Sequence, residues 1–429
     1  MTTALLTDHY ELTMLQAALE HGTADRRAVF ELFPRALPPG RRYGVVAGVG
    51  RALDAIERFT FDDAALETLR AGHVVDERTL EWLAGYRFQG DIWGYPEGEV
   101  YFPYSPLMVV ESTFADAVVL ETLLLSILNH DSAIASAASR MTWAAGDRPC
   151  IEMGSRRTHE EAAVAAARAA YVAGFATTSN LAARHRYGIP TSGTSAHSFT
   201  LLHDTERDAF TAQVSSLGTG TTLLVDTYDV REAVQAAVEV AGTGLGAVRL
   251  DSGDLGVLAQ RVRAQLDELG ATGTRIIVTS DLDEFSISAL SAAPVDGYGV
   301  GTSLVTGSGH PTCGFVYKLV AREGADGQMA DVAKRSTNKI SIGGRKYALR
   351  RRDRNGKAEV EVVGIGSPPV DDGDDRSLLV PLVRDGKVVG REDLDTIRAR
   401  HLASRAELPL RAQQMSRGEP VIPTEHLEG

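Results

Sequence analysis

The sequence predicts a mixed α/β protein. A central run of strand–helix units forms a parallel sheet or barrel, and β-rich segments from the two chain ends pack beside one another. Three observations carry this expectation. Short apolar β-type runs begin at residues 221, 246, 274 and 297, a spacing of about 25 residues that suits a strand, a helix and two turns. Helical patterns follow the first two of these runs. The tail holds two hairpin signals, Asn355-Gly356 and Asp385-Gly386, with no helical pattern between its strands, so it does not extend a βα array.

Taken in chain order, RAVFELF (27–33) reads as a strand and PRALPPGRR (34–42) as a basic turn. VGRALDAIERF (49–59) has helical spacing, and GDIWGYPEGEVYFPYSP (90–106), rich in Gly, Pro and aromatics, reads as short β elements joined by turns. A long helical region follows from Phe114 to Ala145. Its most apolar part, ADAVVLETLLLSILNH (115–130), is interrupted by Asp116, Glu121 and Asn129, and so reads as a buried helix and not a membrane span. PCIEMGSRR (149–157) passes from an apolar to a polar run. It leads into the helix THEEAAVAAARAAYVAG (158–174), where Thr158 and Glu161 form a capping-box pattern and Gly174 marks the stop. TTLLV (221–225) precedes the helix VREAVQAAVEVA (230–241), and GAVRL (246–250) precedes VLAQRVRAQLDEL (257–269), whose Leu258, Val262, Leu266 and Leu269 share a face. TRIIVT (274–279) and GYGVG (297–301) complete the array. In the tail, KYALRRRDRNGKAEVEVVG (346–364) and LLVPLVRDGKVVG (378–390) flank an acidic loop, SPPVDDGDDR (367–376).

The 429 residues are too many for one small core and favour two or three domains. A formal charge of 44 − 57 = −13 argues against a general binder of nucleic acid or anionic membrane, although it permits a local basic pocket. Cys150 and Cys313 form no CxxC pair, which points to a reduced, cytoplasmic setting with no zinc knuckle or disulfide framework. The N-terminus lacks the basic and apolar regions of a signal peptide.

In a βα barrel, function collects at the C-terminal ends of the strands. Those ends here share a polar character. CIEMG runs into Ser155, Arg156 and Arg157; TTLLV into Asp226 and Asp229; GAVRL into Asp251, Ser252 and Asp254; RIIVT into Ser280 and Asp281; the last strand into Gly299, Gly301 and Thr302. Arg249, a charge inside an apolar strand, requires a partner or a ligand, either an anion or a carboxylate such as Glu152 or Asp251. Paired arginines at a strand end suit phosphate or carboxylate. Small residues at 299–303 allow a phosphate to approach backbone N–H groups, or else let strand pack closely on helix. GTSAHSF (193–199) surrounds His197 with small residues, which leaves room at the imidazole for a reaction or for core packing. No HxH or HxxxH accompanies it, so a metal role is disfavoured.

Taken together, these segments resemble the nicotinate phosphoribosyltransferase family. The resemblance rests on TDHYELTM (7–14), FELFPRALPPGR (30–41), ETLLLSILNH (121–130), EMGSRR (152–157), GFATTSN (174–180), GTSAHSF (193–199), LLVDTYD (223–229), VRLDSGDL (248–255), VTSDLDE (278–284) and YGVGT (298–302), in that order. It implies an irregular α/β barrel of the type II phosphoribosyltransferase kind, with a β-rich α+β domain built from both chain ends. Its expected divisions are residues 1–112, a barrel over 113–330, and a return with a helical tail over 331–429.

The implied reaction joins nicotinate to 5-phosphoribosyl 1-diphosphate and gives nicotinate mononucleotide and diphosphate, for NAD synthesis. It needs Mg²⁺ and is coupled to ATP hydrolysis. By resemblance, Tyr10 stacks on the pyridine ring from a neighbouring subunit, which implies a homodimer with shared sites. Arg156 serves the base and ribose phosphate. Arg249, Asp251 and Ser252 hold ribose hydroxyls and diphosphate, and Ser280, Asp281, Gly301 and Thr302 form the 5-phosphate pocket. His197 is the residue that ATP phosphorylates. The stretch around Thr178 and Ser179 offers neutral donors where nicotinamide-using relatives carry an acid, which suits a carboxylate base. Gly343 stands where relatives commonly have proline, which leaves a phosphate contact from Lys346 open. The alternatives are a nicotinamide or quinolinate phosphoribosyltransferase, or a nucleotide-sensing barrel without turnover.

Overall fold

The computed structural model describes residues 2–334 and 341–428. The chain divides into two compact units, one made of Met1–Ser136 with His310–Gly429 and the other of Ala137–Gly309. Residues 113–136 and 310–330, expected with the barrel, thus group with the chain ends.

The unit made from both ends is built on an antiparallel sheet. Its order is Met329–Asp331, Phe315–Glu323, Arg27–Pro34, Met108–Thr113, Asp91–Gly94, Val380–Arg384 and Lys387–Val388. RAVFELF is a strand because its residues from Ala28 onward are buried between two neighbours, Phe315–Glu323 and Met108–Thr113. Phe30 stacks on Tyr317 across that pairing with ring centroids 4.8 Å apart. The Asp385-Gly386 hairpin forms as expected, both residues taking positive φ (45° and 71°), the pairing that a tight two-residue turn demands. The Asn355-Gly356 hairpin joins Lys346–Arg352 to Ala358–Ile365 in a second sheet, and Thr424–Glu428 pairs parallel to the latter strand.

Two side-chain networks fix this unit. Arg350, fully buried, bridges Glu99 (2.6 Å) and Glu361 (2.7 Å), and Arg376 also grips Glu99. Burial alone would raise the Glu99 carboxyl, but the guanidiniums of Arg350 and Arg376 outweigh it and hold the group at about 2. Lys346 is also buried. Its ammonium pairs with Glu31 at 2.8 Å and donates to the Ile342 carbonyl, so it is already engaged within this unit.

The Ala137–Gly309 unit carries a six-stranded, wholly parallel sheet, curled into a half-barrel. Its order is Thr177–Thr178, Cys150–Glu152, Gly297–Val300, Arg275–Val278, Ala247–Leu250 and Thr222–Leu224. The helices Val230–Ala241 and Leu255–Glu268 occur where the periodicity predicts them; Val262 and Leu266 are buried, while Leu258 and Leu269 are only partly so. One cap differs. The helix Glu160–Val172 is capped by His159, whose Nδ1 accepts from the Glu161 N–H at 3.3 Å, and not by Thr158. An imidazole one residue further on reaches the second helical amide as well as a hydroxyl does.

The long apolar stretch forms two helices, Phe114–Val118 and Glu121–Ala145. Its length and composition would allow a membrane crossing. Within each unit, however, its apolar side chains are core: Leu123, Leu124 and Leu128 in one, Met141 and Ala138 in the other, all at most 2% exposed.

Candidate active site

Because every strand of the half-barrel runs the same way, all six C-terminal tips share one edge. The strand Cys150–Glu152 lies between Thr177–Thr178 and Gly297–Val300, which brings the EMGSRR turn beside the TTSN and GVGT turns although they are distant in sequence. The tips enclose a cavity of about 260 Å³. Arg156, Arg157, Arg249, Asp251, Ser280, Asp281, Gly301 and Thr302 line it, together with Met153, Thr279 and Gly299. Seven of the expected site residues thus meet in one small space.

Arg249 pairs in register with Ile277 inside the sheet. Its Nη1 donates to Thr194, while its buried Nε has no hydrogen-bond partner. Burial lowers its pKa, the carboxylates of Asp251 and Asp226 oppose this, and Arg156 adds to it. No ion pair joins Arg249 to Glu152 or Asp251 among the described residues. A guanidinium held this way, with a second cation nearby, favours an anion in the cavity.

The carboxylates are arranged by their neighbours. Thr279 donates to Asp251 Oδ1, and Asp251 Oδ2 lies 3.8 Å from His197 Nε2. The Asp226 side chain is 2% exposed. Its Oδ2 accepts from the Asp251 N–H (2.8 Å) and the Ser252 hydroxyl (2.7 Å), so the Ser252 proton is directed to Asp226 and not to a ligand. Asp226 Oδ1 has no hydrogen-bond partner and sits 4.0 Å from His197 Nε2. His197 opens the short helix His197–Leu201, is 40% exposed at its side chain, and shares a 3.1 Å hydrogen bond between Nδ1 and the Thr227 hydroxyl. The imidazole therefore stands at the cavity's rim, beside a residue that lines it.

The glycines divide between the two readings of that segment. A Cβ on Gly299 would fall 2.4 Å from Thr279 Cγ2 and 2.8 Å from Met153 Sδ, so tight packing demands glycine there. At Gly301 the nearest atom to such a Cβ is the Met153 carbonyl oxygen at 3.4 Å, which leaves the cavity wall open. Ser280, exposed at the wall, has a φ of 139°, a strained conformation for a residue with a side chain and one that collects at ligand sites.

Thr178 departs from its expected role. It is 1% exposed, and its hydroxyl donates to Glu152, so it lies behind the ligand surface; a threonine's position on a strand does not reveal which face it serves. Ser179 is exposed. Tyr10 belongs to the other unit, 44% exposed on the helix His9–Glu20. Partial burial, followed by the charges of Glu121 and Glu11, raises its phenol pKa. Asp226 stands at a strand end as the sequence indicates, while the supporting contacts of Thr194, Thr227, Thr279 and Glu152 arise only from segments that the fold brings together.

The fold and the cavity define a class: a parallel α/β half-barrel with an arginine-lined cavity at its strand tips and a histidine on the rim. Residues 5–129 match the N-terminal-domain model, and residues 149–361 the family model, of nicotinate phosphoribosyltransferase. The chain is 58% identical to nicotinate phosphoribosyltransferase pncB1 of Mycobacterium tuberculosis, covering 98% of this chain and 94% of that one. It is 39% identical to the nicotinate phosphoribosyltransferase of Bacillus subtilis, over 81% and 73% of the two chains. In fold it is similar to human nicotinic acid phosphoribosyltransferase, with a TM-score of 0.83 at 24% identity and coverage of 99% and 97%. The chain belongs to the nicotinate phosphoribosyltransferase family.

Proposed function

We propose that this protein transfers the phosphoribosyl group of 5-phosphoribosyl 1-diphosphate to nicotinate, forming nicotinate mononucleotide and diphosphate for NAD synthesis, and that ATP drives the reaction through a phosphohistidine at His197. The observation that carries this reading is the convergence of Arg156, Arg249, Ser280 and Gly301 on one cavity whose carboxylate Asp251 lies 3.8 Å from the His197 ring.

The 5-phosphate sits among Ser280, Asp281, Gly301 and Thr302, and Arg249 and Arg156 hold the diphosphate and the nicotinate carboxylate. As the ring nitrogen of nicotinate bonds to the ribose C1, the C1–oxygen bond to diphosphate breaks. The sugar passes through cationic character, so catalysis consists of orientation and charge stabilisation, and no strong base is needed. Asp251 and Asp281 are the carboxylates lining the cavity among the described residues. They are hard oxygen donors, too few for a cage, and would hold a Mg²⁺ together with the substrate. Bound there, it would supply neutralisation of charge on the leaving group. Asp254 is taken up as the helix cap of Leu255–Glu268.

For His197, the carboxylates of Asp226 and Asp251 near Nε2 favour the proton on that nitrogen, a tautomer assigned from its partners. The Nδ1 lone pair then accepts from Thr227 and, once that hydroxyl rotates away, serves as nucleophile toward the γ-phosphorus. The N–P bond forms as the bond to ADP breaks, and water later cleaves the phosphohistidine. The added charge at the cavity's rim alters substrate affinity and so links ATP to turnover. Tyr10 completes the pyridine site from a second copy in a cytoplasmic homodimer.

The test is product analysis with nicotinate, nicotinamide and quinolinate, each with phosphoribosyl diphosphate, with and without ATP. Nicotinate mononucleotide as the dominant product, stimulated by ATP, is expected. Preference for either other base, or binding without release of diphosphate, refutes the reading.

A further inference from the structure

We infer that Glu152 is a positioning residue for base recognition: it fixes the turn that carries Arg156 against the turn that carries Ser179. The assignment rests on the reading of the cavity as a nicotinate site.

Glu152 closes the strand Cys150–Glu152 with no exposed surface. One carboxylate oxygen accepts from the Gly154 N–H and the other from the Thr178 hydroxyl. Its backbone carbonyl accepts from the Ser179 N–H at 2.8 Å. The two turns are linked a second time by the Asn180 side-chain amide, which donates to the Ser155 hydroxyl at 3.0 Å, while the Asn180 N–H donates to Thr178 Oγ1 at 2.9 Å. A closed ring of contacts results: Glu152, Gly154, Ser155, Asn180, Thr178 and back to Glu152. Arg156 follows immediately on the first turn, and Ser179 lies within the second.

The choice of residue is informative. No ion pair to Glu152 exists among the described residues, and burial raises its pKa against the two hydrogen bonds. A carboxylate buried without a counter-charge is an expensive way to fill space, and an apolar side chain would pack there at less cost. What the carboxylate adds is two acceptors on one rigid planar group, each receiving a donor from a different turn. Glutamine offers only one acceptor: with its Oε1 on the Gly154 N–H, its amide N–H must donate to Thr178 Oγ1, which leaves the buried Thr178 proton without the acceptor that Glu152 supplies. A Cβ on Gly154 would press on Val305 Cγ1 at 2.2 Å, so that turn is also fixed from its other side and has few ways to adjust.

The experiment compares wild type, Glu152→Gln, Thr178→Val and Thr178→Ser in steady-state kinetics, with melting temperature measured for each. Glu152→Gln and Thr178→Val are each expected to raise the KM for nicotinate at least tenfold. The KM for phosphoribosyl diphosphate and kcat at saturating nicotinate stay within about threefold, and Thr178→Ser, which keeps the hydroxyl, stays close to wild type. An unchanged nicotinate KM in both disruptive variants overturns the assignment. A uniform fall in kcat and melting temperature with KM unchanged shows a structural role only and also overturns it. If Glu152→Gln does not fold, the Thr178 pair decides alone. A wild type that does not turn over nicotinate defeats the functional reading itself, an outcome visible before any variant is compared.

Discussion

Replacing Asp226 by asparagine isolates the electrostatic support of His197. The carboxylate is almost wholly buried, its Oδ1 is free of hydrogen bonds, and it stands 4.0 Å from Nε2. The ring is neutral before attack and becomes cationic as Nδ1 takes the phosphoryl group; a full charge so developed would interact with the carboxylate by about 4 kcal/mol at that distance, at the effective dielectric of a site near the surface. The imidazole is 40% exposed, so solvent screening reduces the effect to roughly half, or about 2 kcal/mol. That corresponds to a fall of roughly 30-fold in the rate at which the ring is phosphorylated. Asparagine keeps an oxygen for the Asp251 N–H, so the cavity wall is expected to survive, with ATP-free transfer falling by less than about threefold. The assay is acid-labile phosphate on the protein after a brief exposure to ATP, alongside nicotinate mononucleotide formation with and without ATP. Equal losses with and without ATP would show that Asp226 acts by shaping the 251–252 turn and not through its charge.

Three further outcomes are expected. His197→Ala removes ATP stimulation and leaves weak basal transfer; ATP dependence that persists in initial-rate measurements rules out the phosphohistidine. Arg156→Ala raises the KM for nicotinate well above wild type, and an unaltered KM assigns that side chain a purely structural part. Arg350→Ala strands Glu361, fully buried, without its cation and removes one of the two on Glu99, a loss of about 3–5 kcal/mol read as a lower midpoint in urea. Glu99, held at about 2 against an ordinary value of 4.5, contributes about 3 kcal/mol that is fully present above pH 4.5 and lost as pH falls toward 2. Stability that stays flat over that window excludes the contribution.

The half-barrel was legible because each strand is a short apolar run with a polar tip, a pattern local enough to read without partners. Arg249 stood out for the same reason, as a lone charge in AVRL. Direction was not legible. Thr178 and Thr279 have the same chemistry at the same kind of position, yet one hydroxyl turns inward to Glu152 and the other serves Asp251 at the cavity wall. Asp226 was visible as a residue but not as a support, because its partners lie on the next strand. The strand Phe315–Glu323 carries no local signal, since what defines it is pairing with Arg27–Pro34, about two thirds of the chain length away. The cap at His159 fell one residue from the expected hydroxyl because backbone geometry, not residue preference, decides which atom reaches the free amide.

The neighbour relation of Cys150–Glu152 with Gly297–Val300 bears on how the molecule is made. On the ribosome, the earlier strand emerges long before its partner is synthesised, and it must wait with one flank unpaired. Arg156 and Gly301 cannot face each other in any nascent chain that stops short of the last strand. Such long-range closure slows folding and exposes a sticky edge meanwhile. Fragments ending before residue 297 are therefore expected to associate with chaperones and to show no affinity for phosphate esters.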